Sequence, residues 1–299
     1  MTSTHSIKKN FKDDFEVAWS GSSIIDAETS LENYRLFKSI VAEAPKKELV
    51  NRGWIDPSRE GDDAYVSLFN NIQQYSLKGL CRRSHSSNSA LCAFWQTRIL
   101  RRAELTVVTH DELTPFSEIS VGDIRNLAKL SMNPEVILEL PALLLEKGIV
   151  LVYERSLKGM KLDGVVFRLI SGHPVIGLSF RYSRLDNFWF TLMHELAHIA
   201  LHLEQLDTPI FDNIDEEHTD ILELQANKIT KDVIAEKWRW RNCKAKYTND
   251  EQDIINFAEE CEVHPALIAG LLQREKNAYH LFRKITDQID VREMVFGNE

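Results

Sequence analysis

Five consecutive residues, His194-Glu195-Leu196-Ala197-His198, carry the side chains best suited to chemistry in this chain. Histidines four positions apart on a helix lie about 40° apart around its axis and about 6 Å apart along it. Their imidazoles can converge on one tetrahedral ion, for which zinc is the usual choice. Glu195 follows the first histidine directly, where a carboxylate can take a proton from a water activated by that ion. The implied chemistry is metal-assisted hydrolysis. The flanks, Phe188 to Met193 and Ile199 to Leu201, are apolar almost all round, so the helix should be buried. Two histidines and a glutamate on a buried helix carry a desolvation cost unless something binds them.

This His-Glu-x-x-His pattern is the one zinc peptidases use, but two histidines do not complete a catalytic site. A third protein ligand and an open position are needed. His202 shares the helix face one turn beyond His198 and should miss the same ion, which makes it a supporting or packing residue. Downstream, Thr219 to Asn227 opens a helix on which Glu223, Ala226, Asn227 and Thr230 share a face. Glu223 is a candidate third ligand, with His218 and Asp220 as competitors. Spacing alone does not separate a ligand from an ordinary helix glutamate. Leu203 to Leu224 holds eight acidic residues and no Lys or Arg, so it reads equally as a solvated loop or as a surface favouring a basic substrate.

The elements that must position these groups follow from the pattern around them. A small sheet precedes the helix, with strands expected over Ile149 to Glu154, Gly164 to Ile170 and Val175 to Tyr182. Ser171-Gly172-His173-Pro174 should turn the last two into an antiparallel hairpin. Val175 to Tyr182 is the candidate edge strand for substrate binding by strand addition. Ser183-Arg184-Leu185-Asp186 and Ser120-Val121-Gly122-Asp123 both resemble capping boxes. Pro134 suits a first helical turn, and the following helix should stop at Lys147-Gly148. Upstream the patterns are helical: Phe11, Phe15 and Trp19; a face of Leu31, Tyr34, Phe37 and Val41; a short element from Glu48 to Trp54; and Val66 to Tyr75. After a loop at Arg83 to Ser89, a helix over about 90–105 carries Arg98, Arg101 and Arg102, either a solvated face or a contact for an acidic group. We therefore expect a helical N-terminal region over 1–105 and an α+β, zincin-like domain over 106–299, with a helical C-terminal part.

Composition narrows the functional classes. Hydrophobic residues make up 43% and charged residues 27%, as in ordinary globular chains. The net charge of −9 argues against non-specific nucleic-acid binding. The four cysteines form no Cys-x-x-Cys pair, which fits a reducing cytoplasm. No apolar run approaches the length of a membrane span, and the N-terminus does not read as a signal peptide.

Arg181-Tyr182 and Asp186 to Leu192, leading into His194-Glu195-Leu196-Ala197-His198 and His202, then Glu223-Leu224-Gln225-Ala226-Asn227, together resemble the ImmA/IrrE metallopeptidases. The match spans residues 140–235 or so. The resemblance implies Zn(2+) held by His194, His198 and Glu223, with Glu195 as general base. It implies an intracellular endopeptidase whose protein substrate is a helix-turn-helix repressor of stress-response or mobile-element genes. Tyr182, His202, His218 and Asn227 are further candidates for supporting the ligands or stabilising the transition state. Glu48 to Ile55 and Ser89-Ala90-Leu91, with Trp95 and Arg98, are similar to a subgroup resembling HigA-type antitoxins. That similarity gives a second expectation, a regulatory protein whose zinc domain binds a separately encoded toxin or regulator without cutting it. The N-terminus does not read as a helix-turn-helix. Phe257 to Ile268 has that rhythm, but its acidity favours a packing or substrate-docking unit over DNA binding.

Overall fold

The computed structural model describes residues 34–35, 37–59, 61–65, 88–110, 113–212 and 220–297. The expected elements at Phe11 to Trp19 and Val66 to Tyr75, the loop at 83–87 and His218 lie outside them. The chain divides into two compact units, Met1–Thr97 and Arg98–Glu299. In the first, residues 37–42 are helical and a helix spans Lys46–Asn51; it ends where Gly53 takes φ 65°, a left-handed turn that favours glycine. Tyr65 meets Phe94 there at a ring-centroid separation of 5.9 Å.

The second unit begins within α1 (Asn88–Thr109). It continues through α2 (Val121–Lys129), a 3-10 turn at Pro134–Leu138 and α3 (Leu140–Leu145). The capping box at Ser120 forms as expected: Ser120 Oγ accepts from the Asp123 amide while the Asp123 carboxylate accepts from Ser120. Then come β1 (Val150–Tyr153), β2 (Gly164–Arg168) and β3 (Pro174–Leu178). The long helix α4 (Leu185–His202) leads to β4 (Ile210–Asp212) and α5 (Ile221–Ile234). Six further helices follow: α6 (Lys237–Arg241), α7 (Ala245–Thr248), α8 (Glu251–Cys261), α9 (Pro265–Glu275), α10 (Arg283–Thr286) and α11 (Val291–Phe296).

The β2–β3 hairpin is antiparallel with Val166 opposite Ile176. The strand order, however, is β1-β3-β2-β4, because β1 pairs with β3 in parallel. This corrects the edge-strand expectation. β3 is interior, buried along its whole length and hydrogen-bonded on both sides, and the strand stops at Leu178 rather than Tyr182. The edges are β1 and β4. Strand register places Gly164 and Leu178 on one face and Val165 and Gly177 on the other. Gly164 lies against Thr191 and Glu195 of α4, whereas Gly177 lies against Ile99 of α1. The sheet is therefore a layer between α4 and the C-terminal part of α1.

Arg98 and Arg102 approach Glu154, just past β1, at 3.5 and 3.1 Å, and Arg102 also donates to the Tyr153 carbonyl. Two of the three arginines of the basic cluster thus have their acidic partner within the chain. The helix-turn-helix rhythm at Phe257 to Ile268 is the α8–α9 pair. Every residue of α9 from Ala266 to Gln273 is buried, and α9 packs on α4. A recognition helix needs an open face; α9 is a packing element.

The N-terminus of α4 departs from its expected cap. Its N-cap is Arg184, without a side-chain cap. Ser183 stands one position before that N-cap, and its carbonyl accepts from the Val291 amide at 2.7 Å. Arg184 instead grips Asp186 with both arms, at 2.9 and 2.8 Å, and reaches Gln273 of α9 at 2.6 Å. Asp186 is 1% exposed, and a Cβ on Gly270 would stand 2.2 Å from its Oδ2, so α9 can approach only because residue 270 is glycine. Removing one partner of a buried ion pair costs about 3–5 kcal/mol. Arg184 keeps some solvent contact, so Asp186→Ala should destabilise the protein by about 3 kcal/mol. Denaturant unfolding measures this, and a loss below about 1 kcal/mol would show that the pair is not holding α4.

Candidate metal centre

α4 is apolar on nearly every side and almost wholly buried, with Trp189, Leu192, Met193 and Leu196 in the main core. The three polar residues of its motif are buried with it. α5 packs along α4 and brings Glu223 to the histidines from the first turn after the N-cap, Asp220, whose side chain accepts from the Leu222 amide. Asp220 is thus a cap. His194 Nε2 lies 3.0 Å from His198 Nε2 and 3.1 Å from Glu223 Oε2, while His198 Nε2 and Glu223 Oε2 are 3.7 Å apart. His194, His198 and Glu223 form a buried group whose ligand-type atoms fall within 4.8 Å of one another.

The donor set and its spacing fit a small cation. Zinc–nitrogen and zinc–oxygen bonds of about 2.0–2.1 Å with tetrahedral angles separate neighbouring ligand atoms by about 3.3 Å. The three observed separations bracket that value. Protonation favours the same use. Burial alone pushes the Glu223 carboxyl upward, but its hydrogen bonds to His194 and His198 outweigh this and hold it below the usual carboxylate range. Burial pulls His198 below the ordinary histidine value. An ionised carboxylate beside a neutral imidazole is what a divalent ion requires.

Glu195 is fully buried on the side of α4 that faces β2, and Gly164 leaves room for it: a Cβ there would stand 2.2 Å from Glu195 Oε1. A glycine inside a strand pattern is a sequence signal of such close approach. One turn earlier, Thr191 borders a cleft lined also by Asp163, Phe180, Arg181, Tyr182 and Asn187. Arg181 stacks over the Tyr182 ring at 4.8 Å and lies 3.5 Å from Asp163. Phe180 takes φ 52°, uncommon for a non-glycine residue. Arg292 of α11 supports that bend by donating to the carbonyls of Phe180 and Arg181.

His202 turns away from the ligand triangle, its Nδ1 3.1 Å from His198 Nδ1 and its Nε2 2.8 Å from Gln225 Oε1. Gln225 had no signal in the sequence, since two positions past Glu223 is nearly the opposite side of a helix. Asn227 is half-buried one turn beyond Glu223. Part of the acidic run is also accounted for, because Arg168 pairs with Asp207 at 2.9 Å and Glu204 at 3.8 Å.

Residues 145–269 match the family model described as the IrrE N-terminal-like domain, Peptidase_M78. That segment is similar to the domain this family is named for. The matched segment contains the sheet, α4, α5 and the His194–His198–Glu223 group, and the mixed α/β fold fits the zincin-like architecture expected of such a domain. No curated protein matches the chain. Among the described residues, no helix is long and apolar enough to cross a membrane.

Proposed function

We propose that this protein is a cytoplasmic zinc-dependent endopeptidase acting on a protein substrate, with a helix-turn-helix repressor as the expected class. The observation that carries the reading is the buried convergence of His194, His198 and Glu223 directly beside the buried Glu195. The three converging side chains would hold the ion, which when bound supplies a Lewis acid for the scissile carbonyl and acidifies water. Glu195 accepts the proton at its carboxylate and returns it to the leaving amine. Tyr182, the phenol in the adjoining cleft, is the donor we assign to the developing oxyanion. A substrate that adds as a strand meets β4, an edge of the sheet among the described residues, where position 212 stands opposite Gly164, the residue packed against Glu195.

Gly164→Ala tests the packing of the base. The added methyl displaces the Glu195 carboxylate without touching a ligand atom, so cleavage should fall about 10²-fold or more, as for a misplaced catalytic group, while metal binding persists. Parallel kinetics and metal titration check it; unchanged turnover would remove Gly164 from the argument.

The test of the function compares protein N-termini in cells expressing the wild type or Glu195→Gln, at rest and under stress. New N-termini found only with the wild type would identify a peptidase and its substrates. Identical sets would overturn the reading. In that event, equal neutralisation of a neighbouring toxin by both forms would mark an antitoxin-like binding protein instead.

A further inference from the structure

The connection between β1 and β2 carries Arg155, Lys158 and Lys161, three cations that the proposed chemistry does not use. Together with Arg181, Arg292 and the ring of Phe180 they wall an open hollow of about 480 Å³, within the range of ligand pockets. We propose that this hollow is a docking subsite for an acidic segment of the protein substrate, beside the cleft at Tyr182. The inference deepens the peptidase reading above and rests on it for the nature of the occupant.

Sheet register sets where the hollow stands. Tyr153 is opposite Leu178, and Leu178 is opposite Gly164, so β1 and β3 end where β2 begins. The Glu195 carboxylate packs on Gly164 at that end of the sheet. The hollow is built there too, from the chain just past β1 and just past β3. It shares Phe180 and Arg181 with the cleft beside Thr191. A peptide lying in the cleft therefore passes into the hollow across those two residues.

Charge selects the peptide. Five cations line the hollow and no described acidic side chain does, in a chain of net charge −9. The nearest carboxylates in sequence face other ways: Glu154 meets Arg98 and Arg102 of α1, and Asp163 meets Arg181 from the cleft. A concave wall of one sign concentrates its field on groups of the other sign. Two of the arginines are held in place, Arg155 by stacking on Phe296 at 4.9 Å and Arg292 by the carbonyls of Phe180 and Arg181. Guanidinium forks match carboxylate geometry, and the exposed Lys158 and Lys161 add charge on flexible stems. A single compact anion calls for convergent donors such as a nest of backbone amides. Cations spread over three separate segments fit a run of carboxylates along a chain.

The test uses the full-length protein and a fluorescent peptide of alternating Glu and Ala, with its Gln-for-Glu counterpart as the neutral probe. Anisotropy should show the acidic peptide binding about tenfold more tightly than the neutral one at low salt, with the preference shrinking as salt is added. Lys158→Glu with Lys161→Glu should abolish the preference, and Lys158→Gln with Lys161→Gln should reduce it. Both lysines are exposed and lie outside the metal centre, and thermal unfolding checks each variant; if the Glu pair does not fold, the Gln pair carries the test. On substrates found by the N-terminal comparison, the same variants should raise KM and leave kcat unchanged, as lost docking does. Equal affinities for the two peptides in the wild type, or a preference untouched by either pair of substitutions, would overturn the proposal. So would tighter binding of a poly-dT oligonucleotide that the same variants abolish, which would make the hollow a nucleic-acid contact. Failure of the peptidase reading looks different: the binding preference would persist while no N-termini specific to the wild type appeared. Cleavage without the preference would remove the subsite alone.

Discussion

Glu195→Gln should leave the protein folded and able to bind zinc, yet lower cleavage by about 10²–10⁴-fold, the usual contribution of a positioned general base. The substitution preserves shape at a site where shape is demanding. Glu195 is completely buried and packs against Thr191 and the backbone of Gly164. An amide fills the same volume but cannot take up the proton. The expected signature is thus a fall in turnover without loss of metal, and it can be measured on any substrate the N-terminal comparison yields. Turnover within tenfold of the wild type would rule Glu195 out as the base. A protein that no longer bound zinc would show that Glu195 instead shapes the ligand site.

Glu223→Ala should have the opposite signature. Its Oε2 completes a triangle with two imidazole nitrogens, and it arrives from a different helix than they do. Without it, two histidines remain, fewer protein ligands than catalytic zinc sites use. The loss of metal affinity should exceed the roughly 10–100-fold attached to supporting residues, and cleavage should disappear with it. Thermal unfolding gives a direct check. A ligand at 100 times its dissociation constant stabilises the native state by about 2.7 kcal/mol, so zinc should raise the melting temperature of the wild type and of Glu195→Gln but not of Glu223→Ala. A zinc-induced shift that survived Glu223→Ala would place the third ligand elsewhere.

The site was legible in the sequence wherever its logic is local. Four-residue spacing put His194 and His198 on one face, and the turn residues Ser171 to Pro174 announced the β2–β3 hairpin. Distant contacts were not legible. Nothing in Val150 to Tyr153 says that it pairs in parallel with β3 and so turns an expected edge into the middle of the sheet. Ser183 carries a capping residue type, but the helix starts one residue later, at an N-cap of Arg184 that grips Asp186 and Gln273 of α9. His202 was visible as a third histidine in register, whereas Gln225 became meaningful only once α5 lay along α4. Propensity and periodicity speak for a residue and its near neighbours; strand order, helix docking and helix starts held by remote segments are decided by which surfaces meet.

The bend at Phe180, secured by Arg292 from 112 residues further along, has a consequence for biosynthesis. A ribosome adds about 5–20 residues per second, so roughly 6–22 s separate the appearance of Phe180 from that of the arginine that anchors it. Over most of that interval His194, Glu195, His198 and then Glu223 have already emerged. The nascent chain therefore owns its candidate metal ligands before it owns a finished cleft.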